Sequence, residues 1–505
     1  MLAKIYSGSV LGVDGMMVEV EVDLARGLPI FSIVGLPEGS VRESKDRVKA
    51  AINNCGYDFP NKRITVNLAP ADVKKSGSGF DLPLAIGLLA ASETLESDIL
   101  DDYLFIGELS LDGTLRSVPG ILPVTLAARK KGLKGVIVPR ANQLEAAVVS
   151  EMEVYGFDDL PQIVEFLRGA ASPDPVKAEL ATDSGTQLIG EPDFSEVKGH
   201  EDIKRALEIA ASGGHNVLMK GPPGSGKTML ARRLPSILPE LSFEEALETT
   251  KIYSIVGELD PEVALVTRRP FRAPHHTISD AGLVGGGRNP RPGEISLAHN
   301  GVLFLDELPE FKKHVLEVMR QPLEDGSVTI ARASQSLKFP ARVMLAAALN
   351  PCPCGYLGDS RNECNCSPTQ IQRYQGTISG PLLDRIDIHL EVAALPFNEM
   401  NDNRQGESST AIRERVNRTR KIQEQRYQSY PAIHSNSQMG PKQIERHCQL
   451  DDSSTRLLEK SVEKLGLSAR GYHRILKIAR TIADMEDSRK LQMSHLAEAI
   501  QYRRV

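Results

Sequence analysis

Between residues 17 and 23, in MVEVEVD, apolar and charged side chains alternate one for one. Val18, Val20 and Val22 share one face and Glu19, Glu21 and Asp23 the other, which is the period of a half-buried strand. RITVNLA (63–69) predicts another strand, and KGVIVP (134–139) a short buried one. Ser40 and Glu43 have the spacing of a capping box ahead of a helical run through Val41, Val48, Ile52 and Cys55, closed by Gly56. DLPLAIGLLAAS (81–92) has helix length and is apolar almost all round, so it predicts a buried helix. Together these elements imply a compact α/β domain over 1–168. Residues 169–192 lose periodicity and gain Pro, Gly, Ser and Asp, as a linker does.

A new pattern opens at DFSEVKGHEDIKRALEIAASGGHN, a helix followed by a strand. Three short apolar strands then end in polar residues: one before GPPGSGKT, one in GVLFLDELPEF (301–311) and one in ARVMLAAALN (341–350). Strands that all end in polar groups point to a ligand site at the carboxyl edge of a parallel sheet. This second domain is expected over 193–395. The polar stretch FNEMNDNRQGESS leads from it into a charged helical region over 396–505. There, Leu457, Leu458, Val462 and Leu465 mark one helix. Tyr472, Ile475, Leu476, Ala479, Ile482 and Ala483 mark another that opens at Ser468.

A chain of 505 residues exceeds one hydrophobic core, which agrees with this division. The apolar share of 41% and charged share of 25% are those of a soluble globular protein. The longest apolar run, LPLAIGLLAA (82–91), falls short of the roughly 20 residues a bilayer span needs. MLAKIYSGSVLGVDG lacks the apolar run of a signal peptide. A cytoplasmic protein without membrane contact or disulfide framework is expected. The net charge of −6 supplies no global field for nucleic acid, so any such contact needs a local basic surface.

The strongest chemical signal is HNVLMKGPPGSGKTML (215–230), a strand, a G-x-x-x-x-G-K-T loop and a helix. Gly221, Pro222, Pro223, Gly224, Ser225, Gly226, Lys227 and Thr228 make a loop whose N–H groups face phosphate oxygens. Lys227 neutralises the β- and γ-phosphates, and Thr228 ligates Mg²⁺. About 80 residues on, Asp306 is placed to hold the Mg²⁺ through water and Glu307 to orient and polarise the attacking water. Asn350, at the end of the third strand, can hydrogen-bond the γ-phosphate or that water, although an Asn after a strand is by itself a common turn former. Four of the six cysteines lie in LNPCPCGYLGDSRNECNCSP (349–368). Cys352, Cys354, Cys364 and Cys366 can supply the four thiolates of a structural Zn²⁺ site. Their C-x-C pairs are tighter than the usual spacing, and reduced thiols in a packed loop are an equal alternative. Ser367 and Pro368 then predict a helix start.

RPFRAPHHTIS, GGGRNPRPGEISLAHNGVLFLDELPEF, FPARVMLAAALNPCPCGY and SGPLLDRIDIHLEV resemble the magnesium-chelatase-like AAA+ ATPases of the YifB/ComM type. The resemblance covers nearly the whole chain. It implies a Lon-protease-like (S5-like) α/β N-terminal domain, an AAA+ P-loop α/β module and a C-terminal α-helical lid. It also implies ATP and Mg²⁺ as cofactors, a hexameric ring, and helicase or branch-migration activity on single-stranded or branched DNA during natural transformation. Lys227, Thr228, Asp306 and Glu307 match Walker A and B, and Asn350 matches sensor 1. Arg385 in LLDRID matches an arginine finger, for which a local ion pair with Asp384 or Asp387 competes. Arg470 in SARGYHRIL matches sensor 2, with Arg474 as second candidate.

FIGELSLDGTLRSVPGILPVTLAARKKGLKGVIVP (105–139) resembles the Lon segment that carries the catalytic lysine, which falls here at Leu122. The nucleophile falls at Asp81. Ser76 and Ser78 are nearby, but no lysine stands where a dyad needs one, so the fold is retained and the protease chemistry lost. Residues 284–294 and the β-hairpin expected over 327–339 resemble insertions that line the pore of such rings. Arg288, Arg291, Arg332 and Lys338 would there contact DNA phosphates, or else be solvated hairpin charges. The other function class is a chelatase-type ATPase that remodels a protein partner for metal insertion. Such a subunit is expected to lack the Lon-like domain, which favours DNA.

Overall fold

The computed structural model describes residues 1–505 except 76, 97–98, 179–191, 288, 332–335, 360, 396–405, 431–432 and 504–505. Most of the expected linker therefore lies outside the described residues. The chain forms two units, Met1–Asp183 with Phe243–Val266, and Ser184–Ser242 with Thr267–Val505. No helix among the described residues is long and apolar enough to cross a membrane.

The first unit is built on β1 (Leu2–Leu11), β2 (Asp14–Ala25), β3 (Ile30–Val34), β4 (Arg63–Ala69), β5 (Tyr103–Phe105), β8 (Gly135–Pro139) and β9 (Glu153–Phe157). Two short strands, β6 (Glu108–Leu109) and β7 (Leu115–Arg116), pair apart from them. The large sheet has the order β3-β4-β2-β1-β5-β8-β9. Alternation along β2 decides its two faces. Val18, Val20 and Val22 join the core beneath the helix Asp81–Ala91, while Met17 turns to the core of the helix Ile121–Lys131. Asp81–Ala91 is buried almost all round, as its composition requires, and at Gly87 it lies so near the sheet that a Cβ would stand 2.7 Å from Val22 Cγ2.

The helix Gly39–Asn54 corrects one expectation. Ser40 does not cap it; Glu38 holds the N-cap position, without a side-chain cap bond. The Ser40 hydroxyl accepts instead from the Gly77 N–H at 3.2 Å, so a contact from the loop after β4 replaces the capping box. Asp81 is fully buried. Its carboxylate accepts from Arg47 Nε at 2.7 Å, Arg47 Nη2 at 3.0 Å and the Leu109 N–H at 3.2 Å. It therefore joins two helices and β6. Ser78 donates to Glu108, and Leu122 is buried, with its N–H on Glu145 Oε1 at 2.9 Å.

Residues 243–266 fold with this unit. Leu247, Ala264 and Leu265 pack on Leu122, Val148 and Val149. Ser254 donates to buried Glu145, whose carboxyl is pushed up by burial, against the hydrogen bonds from Ser254, Leu122 and Asn142.

The second unit holds β10 (Val217–Lys220), β11 (Phe271–Arg272), β14 (Val302–Leu305), β17 (Met344–Leu349) and β18 (Ile388–Glu391). They form one sheet, β11-β14-β17-β10-β18, parallel throughout. Both faces are covered, which is why its strands read as continuous apolar runs. Val217, Met219, Phe304 and Ala346 serve one core, and Leu218, Leu305 and Leu345 the other. Ile412, Val416, Leu458, Ile475, Ile482 and Leu496 of the C-terminal helices complete the first of these cores. Ser468 caps the helix Ala469–Met485 through the Gly471 N–H, and Ser367 caps Pro368–Gln375 with a full capping box.

Arg47→Ala should strand the Asp81 carboxylate in the core and cost about 3–5 kcal/mol. Faster hydrogen exchange of β2 and β4 amides in the full chain is the expected readout. Replacing Asp81 by Leu in the same variant should recover part of the loss, since both partners of the pair are then gone.

Candidate nucleotide site

The loop after β10 is shaped by glycine at two points. Gly226 has φ 89° and is the N-cap of the helix Lys227–Ile237, so the first N–H groups of that helix open towards the loop. Gly221 lies against the Val392 carbonyl, where a Cβ would stand only 2.1 Å from the oxygen. Lys227 is 8% exposed. Its ammonium donates to the Gly221 and Pro222 carbonyls at 2.8 Å each and to Asn350 Oδ1 at 3.2 Å. Burial lowers its pKa, and Asp306 acts against that shift.

Thr228 Oγ1 donates to Asp306 Oδ2 at 2.6 Å, and the Glu307 N–H donates to Asp306 Oδ1 at 2.9 Å. Two oxygen ligands thus stand together beside a helix N-terminus and a lysine, a donor set that fits a hard divalent cation and phosphate oxygens. Glu307 sits at φ 51°, in the left-handed region that non-glycine residues seldom occupy. Its carboxylate is 3.3 Å from His276 Nδ1. The sequence assigns His276 no role; the doubled histidine of PHHT is the one local signal for it.

The arginines lie elsewhere. β10 and β18 are parallel, so the loop before Ile388 is at the sheet's amino edge, opposite the phosphate loop. Arg385 is buried there. It donates to the Pro381 carbonyl at 2.7 Å and pairs with Glu324 Oε1 at 2.5 Å. The local ion pair expected as a competitor therefore exists, but with Glu324 rather than Asp384 or Asp387. Arg470 Nη2 is 3.8 Å from the same Glu324 oxygen and its side chain is 58% exposed. Arg474 instead pairs with buried Asp387. Burial alone would raise the Asp387 carboxyl, but Arg474 and then His215 outweigh it and hold it well below the usual range. Burial lowers the His215 pKa, against the pull of Asp387, and its Nε2 lies 2.8 Å from Thr481 Oγ1. Nothing local in the sequence marked Glu324.

β12 (Gly285–Gly286) pairs with β13 (Arg291–Pro292), and β15 (Ser327–Ala331) with β16 (Ser336–Pro340), so the second insertion is the hairpin its pattern predicts. The hairpins adjoin: a Cβ on Gly285 would stand 3.2 Å from Ile330 Cδ1. Arg291 and Lys338 are exposed, whereas Arg288 and Arg332 lie outside the described residues. The sulfurs of Cys352, Cys354, Cys364 and Cys366 all lie within 4.8 Å of one another.

Three family models match the chain. They are described as magnesium chelatase, subunit ChlI (residues 193–400), subunit ChlI of Mg-chelatase (20–142) and magnesium chelatase, subunit ChlI C-terminal (406–503). Competence protein ComM of Haemophilus influenzae is 47% identical over 99% of this chain and 97% of its own length. YifB of Escherichia coli is 43% identical over 100% of this chain and 97% of its own length. Lon protease 2 of Bacillus subtilis is 33% identical over 28% of this chain and 27% of its own length.

Proposed function

The chain belongs to the ComM/YifB family of magnesium-chelatase-like AAA+ ATPases, and from that premise we propose that it is an ATP-driven ring motor acting on DNA. A helicase or branch-migration translocase of recombination or natural transformation is the specific form. Lys227 and the loop N–H groups bind the phosphates of ATP. Thr228 and Asp306 would hold a Mg²⁺ ion, which would supply positive charge to offset what develops on the phosphates. Glu307 orients the attacking water, and Asn350, which accepts from Lys227, would hydrogen-bond that water or the γ-phosphate. Arg385 and Arg470 stand on the opposite edge from their own phosphate loop, held together by Glu324. That position supports a reading in which Arg385 serves a neighbouring subunit's nucleotide and Arg470 acts as sensor 2, in a ring whose six-fold form the family resemblance implies. The observation that supports DNA is the pair of adjoining hairpins with exposed Arg291 and Lys338. Sixfold repetition makes their surface basic although the chain is acidic. The relative named as a competence protein agrees with that reading.

ATP hydrolysis with and without single-stranded, duplex and branched DNA tests the proposal. Stimulation by single-stranded or branched DNA supports it. No stimulation and no salt-sensitive binding would overturn the DNA reading and leave an ATPase that remodels a protein partner.

Lys227→Ala should lose ATP binding. Glu307→Gln should retain binding and hydrolyse about 10²–10⁴-fold more slowly. Equilibrium binding and single-turnover hydrolysis separate the two effects, and wild-type turnover by Glu307→Gln would remove its assigned role.

Arg385→Ala should lower turnover by about 10³–10⁵. Mixing it with Lys227→Ala subunits should restore part of the activity at shared interfaces. A chain that stays monomeric with ATP in light scattering contradicts the ring.

Lys338→Ala combined with Arg332→Ala should weaken DNA binding and flatten its salt dependence while basal hydrolysis persists. Titration of a labelled oligonucleotide at several salt concentrations reads both quantities.

A further inference from the structure

The nucleotide reading leaves the four clustered cysteines without a task. Cys352 Sγ lies 3.3 Å from Cys354 Sγ and 3.6 Å from Cys364 Sγ, and Cys354 Sγ lies 3.6 Å from Cys364 Sγ. A disulfide would bring two sulfurs to about 2.05 Å. A tetrahedron with Zn–S bonds of about 2.3 Å has edges of about 3.8 Å, close to the separations found. The Cys354 N–H points at Cys366 Sγ from 3.4 Å, the type of second contact that steadies a coordinated thiolate. Gly355, at φ 87°, closes the turn with its N–H on the Cys352 carbonyl at 2.9 Å, which bends the first pair towards the second. Four thiolates fill a tetrahedral shell and leave no position for a substrate, so such a metal would be structural.

The loop touches the nucleotide site on two sides. Cys352 follows Asn350 by two residues, and the intervening Pro351 carbonyl accepts from Gln375 Nε2 at 3.0 Å. Gln375 ends the helix that Ser367 caps directly after Cys366. On the other side Gly355 abuts Pro223 of the phosphate loop, where a Cβ would stand 2.6 Å from Pro223 Cδ.

We propose that Cys352, Cys354, Cys364 and Cys366 bind one structural Zn²⁺, and that the resulting knuckle braces the phosphate loop through Gly355 and Pro223 and holds Asn350 against Lys227. The metal half stands on the sulfur geometry alone; the bracing half rests on the nucleotide reading.

Protein purified without chelator should carry about one zinc per chain by elemental analysis, and its Co²⁺ form should show the absorption of a tetrahedral tetrathiolate. Less than about a tenth of an equivalent with the four cluster thiols free to titrate, or an octahedral Co²⁺ spectrum, would overturn the site. Cys364→Ser should lose the metal, and Cys448→Ser, outside the cluster, should keep it. Cys364→Ser leaves Gly355, Pro223 and the phosphate loop unchanged in sequence, so it should bind a fluorescent ATP analogue about tenfold more weakly through loss of the metal. If it loses zinc yet binds the analogue as the wild type does, the brace is rejected and the metal site stands. If the wild type itself binds no nucleotide, the nucleotide reading fails, the brace with it, and zinc content alone judges the metal.

Discussion

The register of three parallel strands governs the second unit. Lys220 of β10 pairs with Leu349 of β17, and Leu305 of β14 with Ala347. Gly221, Asp306 and Asn350 consequently leave the sheet at one edge. The 2.6 Å bond from Thr228 to Asp306 and the 3.2 Å bond from Lys227 to Asn350 follow from that alignment. The register is pinned by burial. A slip of one residue would turn Leu218 and Met219 to the wrong faces and break both cores at once.

The amino edge is fixed as firmly by polar groups. Asn216 donates its N–H to Asp387, donates its side-chain amide to the Arg385 carbonyl and accepts from the Leu345 N–H. Around it, Asp387, Arg474, His215 and Thr481 join the sheet to the C-terminal helices. Buried charges of this kind hold only as a set, because removing one leaves its partner unsolvated. The sheet therefore has two unlike ends: one gathers phosphate-binding groups, and the other holds Arg385 and Arg470 on Glu324.

In the first unit, a buried acid ties three elements together. Asp81 is fully buried, and its bonds to Arg47 and Leu109 join the helices Gly39–Asn54 and Asp81–Ala91 to β6. Leu122 is sealed in the core as well.

The alternation of β2, the apolar helix after Asp81, the phosphate loop, the strand before Asp306, the hairpin over 327–340 and the caps at Ser367 and Ser468 were legible in the sequence. Each depends on residues a few positions apart, where backbone hydrogen bonding and the choice of buried face are local. The capping box at Ser40 failed because a residue from another loop took its hydroxyl. The pairing of Arg385 with Glu324, the approach of His276 to Glu307, the fit of Gly355 on Pro223 and the folding of 243–266 with the first unit were not legible. Each joins groups far apart in the chain, and only the packing of whole elements decides which of many compatible partners an arginine, a histidine or a turn will meet.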